Sequence, residues 1–115
     1  MARDERIRLL YAAFNAREVE ELLAEMTPDV DWANGWEGGR VVGQEQVRDY
    51  WERQWTVLDP HVEPEEISDR DDGAVEVVVH QVVKDTRGQV LADDRVRHVY
   101  WFRDDLIARM EIDES

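Results

Sequence analysis

Apolar residues recur at helical spacing through the first quarter of the chain. The first stripe consists of Ile7, Leu10, Tyr11 and Phe14. The second consists of Val19, Leu22, Leu23 and Met26. Positions three and four apart share one face of a helix, so each stripe predicts an amphipathic helix. Asn15 can end the first helix and Thr27-Pro28 the second, because proline disfavours helix in the residue before it.

The pattern changes to alternation in the segment DVDWAN, residues 29–34. Val30, Trp32 and Asn34 fall on one side of a short predicted strand, and Asp31 and Ala33 fall on the other. The segment NGWEGG follows, with three glycines between positions 35 and 39. Such a cluster is typical of a loop.

A third helical stripe follows Gly43 and ends before Pro60; its members are Val47, Tyr50, Trp51, Gln54, Trp55 and Leu58. The remaining segments predict four strands. HVEPEEISDR is a weak strand that belongs at an edge because it contains Pro64. AVEVVVHQVVKD and VLADDRVRHVYWFRD are joined by the turn TRGQ around Gly88, and LIARMEID follows.

Two helices, a strand, a helix and then four antiparallel strands predict an α+β fold. We expect residues 1–115 to form one domain. In it, a curved antiparallel sheet packs on three N-terminal helices as a cone-shaped barrel with an internal pocket.

The segment RVRHVYWF has two faces. Val96, His98, Tyr100 and Phe102 alternate on one of them. The other face carries Arg95, Arg97, Val99, Trp101 and Arg103. Three arginines favour solvent for the second face, which would leave Val99 and Trp101 apolar and exposed. Exposed apolar patches mark contacts between proteins, so we predict a homodimer through this outer sheet face.

The composition of the chain limits the classes of molecule that it is expected to bind. The chain has 28 acidic and 14 basic side chains and a formal net charge of −14. Nucleic acid and anionic membranes both require a basic surface, so neither is an expected partner. Cysteine is absent, which excludes disulfides and thiolate metal sites. No apolar run is long enough for a membrane span, and the first residues lack a signal-peptide pattern, so we expect a cytoplasmic protein.

Three segments carry a resemblance to a known family: LLYAAFNAREVEELLAEMTPDVDW, VVGQEQVRDYW and VRHVYWFRDDLIARMEI. In this order the chain resembles the nuclear transport factor 2 like superfamily, in its SnoaL-like, ketosteroid-isomerase-like branch. The resemblance covers nearly the whole chain. It implies the cone-shaped fold, a pocket between helices and sheet, and a dimer formed through the sheet, without specifying a reaction.

The resemblance also implies positions for site residues. Tyr11 takes the place of the oxyanion-binding tyrosine of ketosteroid isomerase, and His98 takes the place of its protonated aspartate. Asn34 takes the place of the catalytic base. Because an amide is not basic at neutral pH, Asn34 cannot perform that role.

His98 is the candidate for proton transfer, since imidazole can gain or lose a proton near neutral pH. The alternative is a structural histidine held by hydrogen bonds. His80 faces the same side only in one register of the hairpin around Gly88. Both histidines with Asp31 could then form a metal site, but the spacing matches no short metal motif and we predict no metal. Asp113 is a weaker candidate base.

Two tryptophans stand four residues apart in VDWANGW. We predict that Trp32 forms a wall of the pocket, that Trp36 covers its rim and that Asn34 orients a polar group of the ligand; the alternative is ordinary core packing. Further predicted lining residues are Phe14, Trp55, His80 and Tyr100.

Two functions remain open from the sequence. The first is an isomerase, cyclase or lyase that acts on a small apolar or aromatic compound, with His98 and Tyr11 as catalytic residues. No organic cofactor is implied, because GWEGGRVVG does not match the dinucleotide-binding motif. The second is a ligand-binding or dimerisation module without catalysis.

Overall fold

The computed structural model describes residues 3–113. Three helices and six strands follow one another in this range: α1 Arg3–Asn15, α2 Val19–Ala24, β1 Met26–Ala33, β2 Arg40–Val42, α3 Gln44–Val57, β3 Leu58–Asp69, β4 Val75–Asp85, β5 Val90–Arg103 and β6 Leu106–Asp113. None of the described helices is long and apolar enough to cross a membrane.

All six described strands belong to one curved sheet in the order β2-β1-β6-β5-β4-β3. The four strands after α3 form the predicted antiparallel meander. β1 joins the meander through a parallel pairing with β6, and β2 pairs with β1. The predicted α+β class is therefore confirmed. The sheet is open, with β2 and β3 at its two edges, and is not a closed barrel.

The second helix is shorter than its apolar stripe predicts. It ends at Ala24, and Met26 and Thr27 already belong to β1. The carbonyl of Glu25 accepts a hydrogen bond from the Ile107 N–H at 2.8 Å, so β6 pairs with the chain at the point where a further helical turn would begin. Pro28 consequently lies inside β1 and does not act as the helix stop.

The position of β3 at an edge of the sheet is the one predicted from its proline content. Pro60 and Pro64 have no N–H to donate, and an edge position tolerates this loss. The pairing of β3 with β4 shifts register between Pro64 and Glu66. Such a bulge is common at sheet edges, where it bends the strand.

The register of β4 on β5 decides which side chains face the helices. Val77 lies opposite His98. Because side chains alternate along a strand, Val79 and Gln81 lie on the same inner face as His98 and Tyr100. Helix residues cover this face: Tyr11 of α1 and Trp51 of α3 belong to the same buried cluster as Val77.

Val99 and Trp101 lie on the outer face, but the prediction that both are exposed is wrong for Val99. Its side chain is only 3% exposed. Its cross-strand neighbours are Glu76 and Glu111, and such long side chains can cover apolar surface with their stems. Trp101 is half-buried, with the Arg70 guanidinium 6.0 Å from the centre of its ring.

Candidate active site

A cavity of about 430 Å³ opens between the helices and the inner face of the sheet. Its size is that of a small-molecule site. Its walls come from all three helices and from five of the strands, and most of them are apolar or aromatic. Apart from indole groups, the polar lining side chains are Tyr11, Tyr50, Gln54, Gln81, His98 and Tyr100. Among the described residues, no aspartate, glutamate, lysine or arginine lines it.

Three buried polar side chains form a connected group, which we call the triad: Tyr11, His98 and Tyr100. The hydroxyl of Tyr11 lies 2.7 Å from Nδ1 of His98. The hydroxyl of Tyr100 donates to the Tyr11 hydroxyl at 2.8 Å. The local structure explains this meeting: His98 and Tyr100 are two apart on β5 and share a face, and Tyr11 lies on the buried face of α1 above them.

The neutral triad carries three mobile protons, one on each phenol and one on the imidazole. Two of them occupy the two hydrogen bonds inside the triad. The third is therefore always directed elsewhere. If Tyr11 donates to Nδ1, the remaining donor is the Nε2–H of His98; if Nδ1–H donates to Tyr11, the remaining donor is the Tyr11 hydroxyl.

Burial sets the charge state of the triad. Desolvation lowers the pKa of His98 to about 4, because the imidazolium loses its hydration. Burial also raises the pKa of Tyr11 well above its usual value, and the neighbouring Tyr100 adds to that increase. The pKa of Tyr100 is raised by burial as well. All three groups are consequently uncharged at neutral pH.

The triad gives a prediction about stability. Tyr11→Phe removes the central hydroxyl and leaves two buried polar groups without it. We expect the free energy of unfolding to fall by about 1–3 kcal/mol, the scale for unsatisfied buried groups. Tyr100→Phe removes one terminal donor and should cost about 1 kcal/mol or less. Urea denaturation of both variants measures the difference, and equal losses would contradict the central position of Tyr11.

Aromatic rings form one wall of the cavity. Trp32 of β1 packs edge-on against Trp51 of α3, with the ring centres 5.5 Å apart. It also meets Tyr100 at 6.2 Å. Phe14 of α1 lines the same space and packs on Trp51 at 6.1 Å. The structure therefore brings Trp32, Phe14, Tyr11, Tyr100 and His98 together around one cavity.

Trp36 lies at the opening of the cavity and is 38% exposed. Its loop is fastened mainly through Asn34. The Asn34 side-chain oxygen accepts from the N–H groups of Trp36 at 3.1 Å and Glu37 at 2.7 Å, and its amide donates to the Glu37 carboxylate at 3.0 Å. Arg53 of α3 donates to the same carboxylate at 3.0 Å. Trp36 is thus held in place as part of the wall.

The position of Asn34 differs from the sequence prediction that it orients a ligand. β1 ends at Ala33, so the strand alternation no longer applies to the next residue. The Asn34 side chain holds the loop and borders a separate surface depression with Gly38, Arg40 and Glu111. Its role is therefore to position Trp36.

Two other predicted lining residues lie outside the cavity. His80 is three positions from Val77, which faces His98, and so points to the outer face of the sheet, where its Nε2 lies 2.7 Å from Asp93. Trp55 packs behind the wall, with its ring centre 6.1 Å from that of Trp51. Asp113, the weaker candidate base, pairs in register with Arg97 and is also not a lining residue.

Sequence reasoning missed three polar lining residues, Tyr50, Gln54 and Gln81. A usable signal existed for Gln81, because it interrupts the valines on the inner face of β4. Tyr50 and Gln54 belong to the stripe on α3 that indicates core packing, and a stripe does not distinguish core from cavity wall. The Tyr50 hydroxyl also contacts the backbone of Gly35 and Trp36.

The alternative of a two-histidine metal site does not fit this geometry, because His80 and His98 lie on opposite faces of the sheet. Within residues 3–113, no three or more side chains of His, Cys, Asp or Glu are grouped so that they could hold a metal ion.

A family model described as a SnoaL-like domain matches residues 7–110. The chain belongs to this family. The assignment agrees with the three sequence segments and with the nuclear transport factor 2 like architecture of the sheet and helices. A comparison with curated proteins finds no match for this SnoaL-like chain.

Solved structures similar to this SnoaL-like protein include TerC co-crystallised with polyporic acid, at 29% identity and a TM-score of 0.82 over 96% of this chain and 89% of TerC. A protein from Xanthomonas campestris with the provisional name polyketide cyclase has 21% identity and a TM-score of 0.77 over 97% and 89% of the two chains. The epoxide hydrolase/cyclase-like enzyme SalBIII has 17% identity and a TM-score of 0.82 over 98% and 90%. The last two similarities establish the fold alone.

Proposed function

We propose that this SnoaL-like protein binds a small apolar or aromatic compound in its cavity and transfers a proton on it without an organic cofactor, as an isomerase, cyclase or lyase. One observation carries the proposal. Of the described side chains that line the cavity, His98 alone is an unprotonated base at neutral pH. A proton abstracted inside this space would therefore go to His98.

The lowered pKa of His98 suits this role. A value of about 4 is close to the ordinary pKa of an aspartate. Burial thus gives an imidazole the basicity of a carboxylate without its negative charge. A base of this strength is free to accept a proton throughout the neutral range, and it releases the proton readily afterwards.

The catalytic tautomer places the imidazole proton on Nδ1. Nδ1–H then donates to the Tyr11 oxygen, and the lone pair of Nε2 is available to take a proton from the ligand. Tyr11 accepts from both His98 and Tyr100 in this state and offers its own hydroxyl proton to an oxygen of the ligand. The two hydrogen bonds that the Tyr11 oxygen accepts strengthen the hydrogen bond that its hydroxyl donates to the ligand. Tyr11 would therefore stabilise negative charge that develops on the ligand oxygen.

The protonated His98 can return its proton to a different atom of the ligand. That sequence is a 1,n-proton shift in an isomerase. In a cyclase or lyase the same proton would go to a forming or departing oxygen. The geometry supports proton exchange at one face of an apolar ligand.

The ligand is expected to change tryptophan fluorescence, because Trp32, Trp36 and Trp51 line the cavity. Polyporic acid, with which the similar TerC was co-crystallised, is a suitable first probe. We expect it to quench the emission of the wild-type protein. Trp32→Phe should remove the largest share of the quenching, whereas Trp101→Phe, on the outer face, should leave it unchanged. Equal responses in the two variants would place the ligand elsewhere.

A second candidate is a ligand-binding module without catalysis. The absence of any carboxylate among the described lining residues, and the use of Asn34 in the loop, favour it. Catalysed proton exchange on a bound carbonyl compound distinguishes the two candidates, because a binding module would not accelerate it.

We also propose a homodimer through the outer sheet face around Trp101, which is half-buried in one subunit. Since Val99 is covered already, Trp101→Asp is the informative change. It should weaken the dimer by about thirtyfold or more, the scale of a hot-spot residue, as measured by sedimentation. Leu9→Asp alters another exposed apolar residue, on α1, and serves as the control. Monomers from the Leu9 variant alone would move the interface to the helical side.

A further inference from the structure

We infer that Gln81 is a specificity-determining residue of the cavity. Its carboxamide binds a hydrogen-bond donor of the ligand, such as a hydroxyl group, at the open end of the cavity and away from the triad. The ligand is accordingly an elongated compound that carries a donor group at its outer end. This inference rests on the proposed ligand cavity and adds a second point of recognition to it.

The hydrogen bonds of the polar lining side chains distinguish Gln81 from the others. The members of the triad bond to one another. A side-chain hydrogen bond joins Gln54 to Tyr50. The carboxamide of Gln81 lines the same cavity, and no hydrogen bond joins it to any other described residue. A carboxamide has two N–H donors and an acceptor oxygen, so the cavity contains one polar group that is free to bind a ligand.

The surroundings of Gln81 make a ligand partner necessary. On the inner face of β4 it stands between Val79 and Val83, and across the strand pair it lies opposite Val62 of β3. A valine at position 81 would continue this apolar wall and would suit a strand. A ligand that covers the carboxamide removes it from water, which costs free energy unless the ligand supplies a hydrogen bond in return. A wholly apolar ligand would therefore bind this wall poorly.

The strand register gives the position of Gln81 and the kind of group that it receives. Gln81 pairs with Asp94 of β5, which is four residues and so about 13 Å along the strand from His98. The cavity is open at this end, because the lining residue Leu91 is 54% exposed. Asp94 is exposed on the same face as Gln81. An ionised carboxylate accepts hydrogen bonds and donates none, so the pair favours a donor on the ligand.

Three matched probes test the inference by titration calorimetry at neutral pH. 4-Acetylbiphenyl is elongated and has no polar group at its second ring. 4-Acetyl-4′-hydroxybiphenyl adds a hydroxyl group there, and 4-acetyl-4′-methoxybiphenyl replaces the hydroxyl proton by a methyl group. We expect the wild-type protein to bind the hydroxyl compound about tenfold more tightly than either of the others, which is the scale of one hydrogen bond.

Two matched variants assign the preference to a residue. Gln81→Met should remove the preference for the hydroxyl compound and still bind 4-acetylbiphenyl at least as tightly as the wild type, which also shows that the variant is folded. Gln54→Met, the control, should change the affinities for the three probes by the same factor.

Two results would overturn this inference alone: wild-type protein that binds the three probes equally well, or a hydroxyl preference that persists in Gln81→Met. Binding of the methoxy compound as tightly as the hydroxyl compound would overturn the donor assignment. Failure of all three probes to bind to the wild type would overturn the proposed cavity function, and this inference with it.

Discussion

Between pH 7 and pH 4, the free energy of unfolding of the wild-type protein should fall by about 3 kcal/mol more than that of the His98→Asn variant. In the folded state the pKa of His98 is about 4, and in the unfolded chain it returns to about 6.5. Between these values the unfolded state binds one proton more than the folded state. Stability is therefore fully present above pH 6.5 and is lost as the pH falls towards 4.

Asparagine is the matched replacement because its side-chain oxygen is attached at the same atom as Nδ1 and can accept the Tyr11 hydrogen bond. The carboxyl groups with lowered pKa, such as Glu65 beside Arg95, titrate equally in both proteins and cancel in the comparison. Urea denaturation at each pH gives the free energy of unfolding. Parallel pH profiles for wild type and variant would show that His98 is hydrated and is protonated as easily as in the unfolded chain.

The same substitution should lower turnover by about a hundredfold or more, the usual scale for loss of general acid–base catalysis. Asparagine cannot exchange a proton at this position, but it leaves the cavity and its aromatic walls in place. Affinity for neutral probes should therefore remain close to that of the wild type. A loss of turnover no greater than the loss of folded protein would assign His98 a structural role.

An enolisable aromatic ketone makes this test possible before the natural substrate is known. We expect the wild-type protein to accelerate deuterium uptake next to the carbonyl of 2-tetralone, as followed by NMR. His98→Asn should remove the acceleration through loss of the base. Tyr11→Phe should reduce it through loss of the donor to the enolate oxygen. If the wild type causes no acceleration although 2-tetralone binds, the ligand-binding module becomes the preferred function.

Sequence periodicity was sufficient for the fold where a pattern spans several turns or a long strand. The α1 stripe and the valines of β4 are of this kind, because every member has the same environment. The stripe of α2 is too short to fix where the helix ends: Leu22 and Leu23 lie in the helix, whereas Met26 fits the same spacing and belongs to β1. The pairing of Glu25 with Ile107, 82 positions apart, decided this boundary, and no local sequence pattern reveals it.

The site was predictable where the alternation of a strand fixes orientation, as for His98 and Tyr100. The site was not predictable where a shift of one residue in strand register moves a side chain from one face of the sheet to the other. His80 points outward because Val77, and not Glu76, lies opposite His98. Asn34 follows the last residue of β1, where the backbone turns away from the strand direction. The hydrogen bond between Tyr11 and His98 joins residues 87 positions apart and arises only from the packing of α1 on the sheet.

The place of β6 in the sheet has a consequence for how the protein folds. β6 lies between β1 and β5, so β1 with Trp32 cannot join the meander until residues 106–113 are available. β6 also supplies Met110 to the cavity wall. During synthesis the two halves of the binding site therefore exist as separate, unpaired pieces, and a late contact of high sequence separation unites them. We expect a slow final step in which the cavity and the sheet become complete together.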